Sequence, residues 1–331
     1  MAQSVHRENK QMSDLPKRVF IKEEGPREGF QIERQPIPTE RKIALVDALS
    51  DTGLDYIQVT SFVHPGKVPG MADAEAVVAG MTPREGVRYA GLWLNQQGLI
   101  RAIATGRLYL EGKLTLYASD AFLRRNQNRD PQQQLAAQPE LIKMYQAHGI
   151  PMRTGFVTAA FGCNFEGDVA PEKVVALVGQ MRAIARDAGE DLSLIGLGDT
   201  MAWATPERIR RVVGMVQDAN PDVELSLHLH DTRGLGIANA YAGLQMGVQH
   251  FDAAVGGLGG CPFAAHAGAA GNICTEDFVL LCEEMGIETG VDLEKLSACA
   301  LLAEEIVGHP LPGKVKTGGS LNALRRRISG E

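Results

Sequence analysis

The feature that most constrains the fold is a regular alternation of short β-rich runs with longer helix-like runs, which begins at Arg18. Runs of β-branched and aromatic residues predict strands, and apolar residues at helical spacing predict the helices between them. Eight strands, each followed by a helix, predict a (β/α)8 TIM barrel. The predicted strands are residues 18–24, 55–62, 88–94, 113–119, 151–158, 193–199, 225–231 and 250–256.

Helix signals between these strands support the same fold. The predicted helices include residues 38–52, 171–188 and 205–218, and the last begins with Thr205-Pro206, an N-cap followed by proline at the first helical position. A doubly wound open sheet is the competing fold, but no glycine-rich phosphate loop follows the first strand. Helices at about 275–286 and 292–307 predict a C-terminal extension of the barrel.

Domain organisation and composition narrow the class of protein. No internal repeat or linker is visible, so residues 18–331 are predicted to form one domain behind a disordered leader, residues 1–17. The net charge of -7 gives no support for a nucleic-acid partner, and Arg325 to Arg327 are interpreted as a short basic, solvated tail. No apolar run is long enough for a membrane span. Five cysteines, an odd number without metal-finger spacing, favour a reducing cytoplasm.

The seventh predicted strand carries two histidines at alternate positions. Side chains alternate between the two faces of a strand, so His228 and His230 share one face while Leu227 and Leu229 share the other. Paired imidazoles suit a divalent transition metal, and a carboxylate or amide from elsewhere could complete the ligand set. Two unrelated structural histidines are the alternative, and the pair alone does not decide between them.

Polar residues at the other strand ends favour the functional interpretation. A TIM barrel builds its active site at the carboxyl ends of its strands. After the eighth strand, the glycine-dense loop Gly256–Pro262 could carry Cys261 over that mouth. The polar residues predicted to converge there are Arg27, Glu28, Gln58, Ser61, Ser119, Asp199, His228 and His230.

Several of these stretches resemble the hydroxymethylglutaryl-CoA lyases of the DRE-TIM metallolyase superfamily, from about residue 18 to 305. The two most specific lie at residues 228–232 and 257–263. The matching stretches are GPREGFQIE (25–33), TSFV (60–63), GC (162–163) with FEG (165–167), LGDT (197–200), HLHDT (228–232), GLGGCPF (257–263), GN (271–272) and TED (275–277).

The resemblance implies a divalent-metal-dependent retro-Claisen cleavage of a 3-hydroxyacyl-CoA into acetyl-CoA and a keto acid. It implies Mg or Mn as cofactor, Arg27 at the thioester enolate, and acid/base chemistry by Cys261 and His228. The metal ligands that it implies are Glu28, His228, His230 and Asn272. The substrate-binding residues that it implies are Arg27, Gln58, Ser61, Ser119, Cys163 and Asp199.

The residue types suit this chemistry on general grounds. Breaking a carbon–carbon bond beside an alcohol requires removal of the hydroxyl proton, and a metal or a neighbouring histidine or carboxylate assists that step. A fixed guanidinium stabilises the enolate as its charge develops. A thiol on a closing loop can then protonate the carbanion while water is excluded.

Three departures from the family pattern bear on the substrate. Glu28 stands where the family has aspartate, and one added methylene displaces the carboxylate by about a bond length, against a metal-site tolerance of about 0.2 Å. Gln58 stands where these lyases have a glutamate. The stretch between Cys261 and Asn272 is two residues longer than usual and contains His266. The first two changes favour a related substrate, such as a citramalyl- or methylmalyl-type thioester, or weakened activity.

Two alternatives remain open. One is a Claisen-condensing acyltransferase of the same superfamily, which the loop sequence Gly259–Pro262 argues against because it resembles the lyases. The other is a catalytically silent barrel that binds metal or acyl-CoA, suggested by Glu28 and Gln58. Barrels of this class often pair, so a homodimer is expected by analogy alone.

Overall fold

The computed structural model describes residues 15–260 and 271–330. Its strands follow the predicted ones closely, and each barrel strand begins within two residues of its predicted start. The strands of this part are β1 (Phe20–Glu23), β2 (Tyr56–Ser61), β3 (Arg88–Leu92), β4 (Gly112–Tyr117), β5 (Met152–Thr158), β6 (Gly162–Cys163), β7 (Gly167–Asp168), β8 (Leu194–Asp199), β9 (Glu224–Leu229) and β10 (His250–Ala253).

Eight of these strands form one parallel sheet in the order β3-β2-β1-β10-β9-β8-β5-β4. The first strand pairs with the last, as a barrel requires, so the predicted TIM-barrel architecture is confirmed. Between β3 and β4 the described residues form no ladder, although Tyr109 N, shortly before β4, donates to Tyr89 O of β3 at 2.7 Å. The two-residue strands β6 and β7 form a separate antiparallel hairpin, which the sequence patterns did not predict.

The helices of the described chain lie between the strands, and the predicted N-cap of α8 is confirmed because Thr205 accepts a bond from Arg208 N. They are α1 (Phe30–Ile32), α2 (Thr39–Ser50), α3 (Ala74–Gly80), α4 (Gln96–Ala104), α5 (Asp120–Gln127), α6 (Pro131–Ala147), α7 (Pro171–Asp187), α8 (Pro206–Ala219), α9 (Gly236–Gln245), α10 (Thr275–Glu284), α11 (Leu293–Val307), α12 (Val315–Gly318) and α13 (Leu321–Ser329).

Alternation along β9 separates the core from the barrel interior. Leu227 and Leu229 are fully buried, and Leu227 lies against Gly243 of α9. His228, between them, faces the interior, as the period of two predicts. Burial of the leucine face therefore fixes which way the histidines point.

The C-terminal helices pack onto the barrel, as predicted. Phe278 of α10 lies on Phe251 of β10 with 4.7 Å between ring centroids, and α11 packs against α2 and the turn Val255–Gly257. The basic tail forms helix α13, on which Arg325 and Arg326 pair with glutamates of α10 and α11. None of the helices in the described ranges has the length and apolar character to cross a membrane. The predicted leader falls mostly on residues 1–14, outside the described residues.

Candidate active site

Two histidines and one carboxylate meet at the carboxyl ends of β1 and β9. The Nε2 atoms of His228 and His230 are 3.1 Å apart, and Glu28 Oε1 lies 3.3 Å from His230 Nε2. The same oxygen is 4.0 Å from His228 Nε2. All three residues are largely buried. The structure thus brings together three of the four predicted metal ligands, which we call the Glu28 triad.

Backbone pairing places the fourth predicted ligand beside the triad. Residues 271–273 run antiparallel to the end of β9, with Asp231 N bonded to Gly271 O and Ile273 N bonded to Leu229 O. This pairing sets Asn272 opposite His230. The Asn272 side chain donates through Nδ2 to Leu258 O, while its Oδ1 is buried without a hydrogen-bond partner in the described structure.

Arg27 and Glu28 lie on a π-helical turn, Gly25–Gly29, that directly follows β1. The Arg27 guanidinium contacts both neighbouring carboxylates, with Nη2 2.7 Å from Glu24 Oε2 and Nη1 3.1 Å from Glu28 Oε2. Its Nε donates to Gln58 Oε1 in a short hydrogen bond. Gln58 therefore orients the arginine, and Glu28 connects the arginine to the histidines.

The far side of His228 faces acidic residues. Its Nδ1 lies 3.3 Å from Asp252 Oδ2 and 3.5 Å from Glu24 Oε2. When Nδ1 carries the proton, the Nε2 lone pair faces His230 and Glu28, which is how metal-binding histidines are commonly oriented. Asp252 and Glu24 therefore contact His228 on the side opposite the other two members of the Glu28 triad.

Charge compensation outweighs burial in this cluster. Burial lowers the pKa of His228, but Asp252, Glu28 and Glu24 raise it to about 9. Burial raises the pKa of the Glu28 carboxyl, but Arg27 and the two histidines hold it well below its usual range. Burial likewise opposes ionisation of Asp252, yet Lys22 and His228 lower its pKa to about 2. The carboxylates are therefore ionised at neutral pH, as cation binding requires.

The donor set fits a divalent cation. Each member of the Glu28 triad offers one ligand atom, and these atoms lie within 4.8 Å of one another. The unpartnered Asn272 Oδ1 is an additional oxygen donor on the neighbouring chain segment. Nitrogen and oxygen donors without a thiolate favour a hard or borderline cation.

A cavity of about 350 Å³ opens beside the triad into the barrel. Among the residues predicted to bind substrate, Arg27 and Gln58 line it. Glu28, His228 and His230 line it as well, and Gly260 marks the end of the described loop.

Four other predicted substrate residues are not among the described residues that line this cavity: Ser61, Ser119, Cys163 and Asp199. Ser119 caps α5 by accepting from Phe122 N, and its hydroxyl lies 3.0 Å from Cys163 Sγ. Asp199 accepts from Trp203 N and Ala204 N, and burial raises its pKa to about 6. Substrate contact for these four residues stays a prediction.

The loop after β10 approaches the Glu28 triad at Gly259. Gly259 has a φ of +96°, and a Cβ there would lie 2.6 Å from Asn272 Nδ2 and 3.0 Å from Glu28 Cγ. Glycine is therefore required by both backbone and space at this point. Cys261 and His266 fall in residues 261–270, outside the described residues.

Sequence reasoning missed several charged residues that line the cavity, and four of them bear on the site: Lys22, Glu24, Lys113 and Asp252. All four lie on or next to predicted strands, and Lys22 and Glu24 alternate with buried residues of β1. Period-two alternation could have found them, because an inward-facing charge in a barrel strand needs a partner or a ligand.

Comparison with known proteins decides the family. Residues 18–302 match the HMGL-like family. The chain belongs to the HMGL-like family. Hydroxymethylglutaryl-CoA lyase YngG of Bacillus subtilis is 40% identical over 299 residues, which cover 90% of this chain and 96% of that protein. The human cytoplasmic 3-hydroxy-3-methylglutaryl-CoA lyase is 39% identical over 88% of this chain and 76% of its own length.

Solved structures agree with these matches. The HMG-CoA lyase of Bacillus subtilis superposes with a TM-score of 0.83 at 38% identity, over 94% of this chain and 99% of that one. An HMG-CoA lyase from Acinetobacter baumannii, solved in complex with coenzyme A and 3-methylmalate, gives a TM-score of 0.82 at 37% identity, over 92% of this chain and 96% of that one.

Two buried carboxyls hold the elements around the site in this HMGL-like protein. Glu23 Oε1 accepts from Gly25 N and Val255 N, and Glu23 Oε2 accepts from Thr275 Oγ1. Glu276 Oε2 accepts from Gly256 N. Burial raises the pKa of Glu23 to about 7 and that of Glu276 to about 8.

We expect Glu276→Gln to flatten the pH dependence of stability. Both carboxyls bind protons more tightly in the folded than in the unfolded chain, so the free energy of unfolding falls as pH rises from their ordinary range near 4.5 to about 8. Glutamine is neutral throughout and removes the share due to Glu276. Urea unfolding at about pH 5 and about pH 8.5 measures the difference.

Glu140→Gln is the control, because Glu140 is exposed and pairs only with Lys143 on the helix surface among described residues. It should leave the pH dependence unchanged. A Glu276→Gln protein with the parental pH dependence would show that Glu276 is already ionised in the folded state at neutral pH.

Proposed function

We propose that the chain is a divalent-metal-dependent carbon–carbon lyase that cleaves a 3-hydroxyacyl-CoA to acetyl-CoA, or a homologous acyl-CoA, and a keto acid. The substrate is hydroxymethylglutaryl-CoA or a related citramalyl- or methylmalyl-type thioester. The observation that carries the proposal is the contact of Arg27 with Glu28, which joins an enolate-stabilising cation to the two histidines. Relatives named hydroxymethylglutaryl-CoA lyase support it.

Glu28, His228, His230 and Asn272 would hold the cation, with Mg or Mn as the proposed metal because the donors are nitrogen and oxygen. Bound there, the cation would polarise the substrate hydroxyl and lower its pKa. Asp252 supports this assignment because its Oδ2 lies 3.3 Å from His228 Nδ1 and leaves Nε2 directed at the proposed cation site. The proposed ligands Glu28 and His228 thus already have oppositely charged neighbours, Arg27 and Asp252, in the barrel.

The hydroxyl proton needs an acceptor within the cavity. His228 faces the cavity only through Nε2, since Nδ1 is turned to Asp252 and Glu24. Nε2 can bind the cation or accept the proton, but not both at once. Glu24, which lines the cavity beside Arg27, is the proposed acceptor when Nε2 is a ligand.

Arg27 is proposed to stabilise the negative charge that develops when the C2–C3 bond of the substrate breaks. The bond's electron pair moves to the thioester as an enolate, and C3 becomes the carbonyl of the keto acid. Gln58 and Glu24 hold the guanidinium in the cavity before substrate arrives. Such preorganisation lets the cation stabilise the enolate without rearranging.

Cys261 is the proposed proton donor to C2 of the enolate. Support comes from its sequence position directly after Gly260, which lines the cavity. The remaining predicted residues, Ser61, Ser119, Cys163 and Asp199, are proposed to bind substrate in the wall around this centre.

The proposal extends to the location of the protein and to its partners. We place the protein in the cytoplasm because its four described cysteines are free and buried. An acyl-CoA is the small-molecule partner, as in the Acinetobacter baumannii lyase solved with coenzyme A. A homodimer stays a prediction by analogy.

The lyase proposal is tested by following acetyl-CoA release from a panel of 3-hydroxyacyl-CoA thioesters with the metal-loaded protein. We expect turnover of at least one member, lost on chelation and restored by Mg²⁺ or Mn²⁺. Condensation of acetyl-CoA with a keto acid without net cleavage would favour the acyltransferase. Metal bound without any reaction would favour the silent barrel and remove the lyase proposal.

A second prediction concerns the length of the Glu28 side chain. Its carboxylate bridges Arg27 and His230, so the shorter aspartate cannot keep both contacts unless the backbone shifts. We expect Glu28→Asp to weaken metal binding by about tenfold or more, measured by calorimetry with Mn²⁺. Glu305→Asp, at an exposed ion pair with Arg41, is the control. Unchanged affinity together with faster hydroxymethylglutaryl-CoA cleavage would instead identify Glu28 as a specificity residue.

A third prediction separates the thiol from the metal. Cys261→Ala should leave metal content intact and lower turnover by about two to four orders of magnitude, as expected for loss of an acid/base group. Cys282→Ala, at a buried helical position, is the matched control and should keep turnover. Normal turnover in the Cys261 variant would assign proton donation to another group.

A further inference from the structure

One cation in the barrel interior takes no part in the chemistry described above. Lys113 lies on β4 and lines the cavity. Its Nζ is 5.0 Å from the centroid of the Phe156 ring, and the same ring lies 6.1 Å from the ring of His228, edge-on. The ammonium and the Glu28 triad are therefore neighbours of one aromatic side chain.

The three other cations that line the cavity each have a partner in the described structure, and Arg129 donates to the Gln134 side-chain amide oxygen at 3.1 Å. Arg27 contacts Glu24 and Glu28, and Lys22 Nζ is 3.8 Å from Asp252 Oδ1. Among the residues that the structure describes, no carboxylate lies within 4.0 Å of Lys113 Nζ. Lys113 is thus an ammonium in the barrel interior that lacks a counter-ion.

Three carboxylates that line the cavity have other partners. Glu24 is bonded to Arg27, Asp252 faces His228, and Glu111 accepts from Thr154 Oγ1 at 3.0 Å. Burial, together with repulsion from Lys22, lowers the pKa of Lys113. An unpaired charge in the half-buried barrel interior is unfavourable, so an anion that enters the cavity gains a strong partner there.

We propose that Lys113 binds a carboxylate carried by the acyl part of the substrate, and so selects thioesters whose C3 substituent ends in an acid. This inference rests on the proposed lyase function and names the substrate class of the same site. The neighbouring Lys22 adds positive potential to the subsite while its own charge is shared with Asp252.

The acyl group suits this subsite better than the coenzyme does. The cavity of about 350 Å³ is near the lower limit for small-molecule sites and fits a short acid rather than a nucleotide with its phosphates. Lys113 is also close to the reacting centre, because the Phe156 ring neighbours both Lys113 and His228. A single ammonium gives one charge-assisted hydrogen bond, which is sufficient to separate an acid from its neutral analogue.

The experiment compares hydroxymethylglutaryl-CoA with the analogue in which a primary amide replaces the acyl carboxylate. In Lys113→Met we expect KM for the acid to rise at least about tenfold with kcat nearly unchanged, while the constants for the amide stay within about twofold. Lys113→Arg should recover part of the preference. Lys143→Met, at an exposed lysine of α6, is the control and should behave as the parent.

Equal losses on the acid and the amide in Lys113→Met would overturn the inference, since they indicate a structural role. Metal content and thermal unfolding are measured on each variant, and Lys113→Gln serves if the methionine variant does not fold. Calorimetric binding of free 3-hydroxy-3-methylglutarate and its monoamide gives a readout that does not need turnover. A parent protein that cleaves no thioester but prefers the free diacid, with the preference lost on substitution, would reject the lyase and keep the subsite. No preference in the parent would overturn the subsite.

Discussion

The contact between Glu28 and Arg27 is the interaction on which the site depends. Arg27 Nη1 lies 3.1 Å from one Glu28 oxygen, and the other oxygen lies 3.3 Å from His230. Without the arginine, a carboxylate buried beside neutral groups would take up a proton, because burial alone raises its pKa. The same contact therefore keeps a metal ligand ionised and holds an enolate-stabilising cation next to it.

Much of the fold could be predicted because its signals are local. The spacing of apolar residues predicted all eight barrel strands. Burial of the two leucines of β9 determines which way its histidines point. The missing ladder between β3 and β4 has no local signal, since it depends on how two distant segments approach. The hairpin of β6 and β7 is too short for any period to show.

The site was predictable where chain order places residues at strand ends, and less so where tertiary contacts decide. Arg27, Glu28, His228 and His230 converge because parallel strands end at one mouth. Ser119 and Cys163 contact each other, and the serine hydroxyl also caps α5, which are contacts that chain order does not reveal. Asp252 and Glu24 act behind His228, a position that sequence order alone does not reveal.

The residues proposed for the reaction and the residue proposed for substrate choice lie in different parts of the barrel interior. Arg27, Glu28, His228 and Asp252 are all in contact with one another or with a shared neighbour, so changing one alters the charge state of the rest. Such a coupled cluster has little freedom to adapt to a new acyl group. Lys113, which shares the Phe156 ring with His228, can change with less effect on the reacting centre than a member of this cluster. A substitution on a strand that lines the interior is therefore expected to change substrate choice with less effect on the reaction than a substitution of a metal ligand.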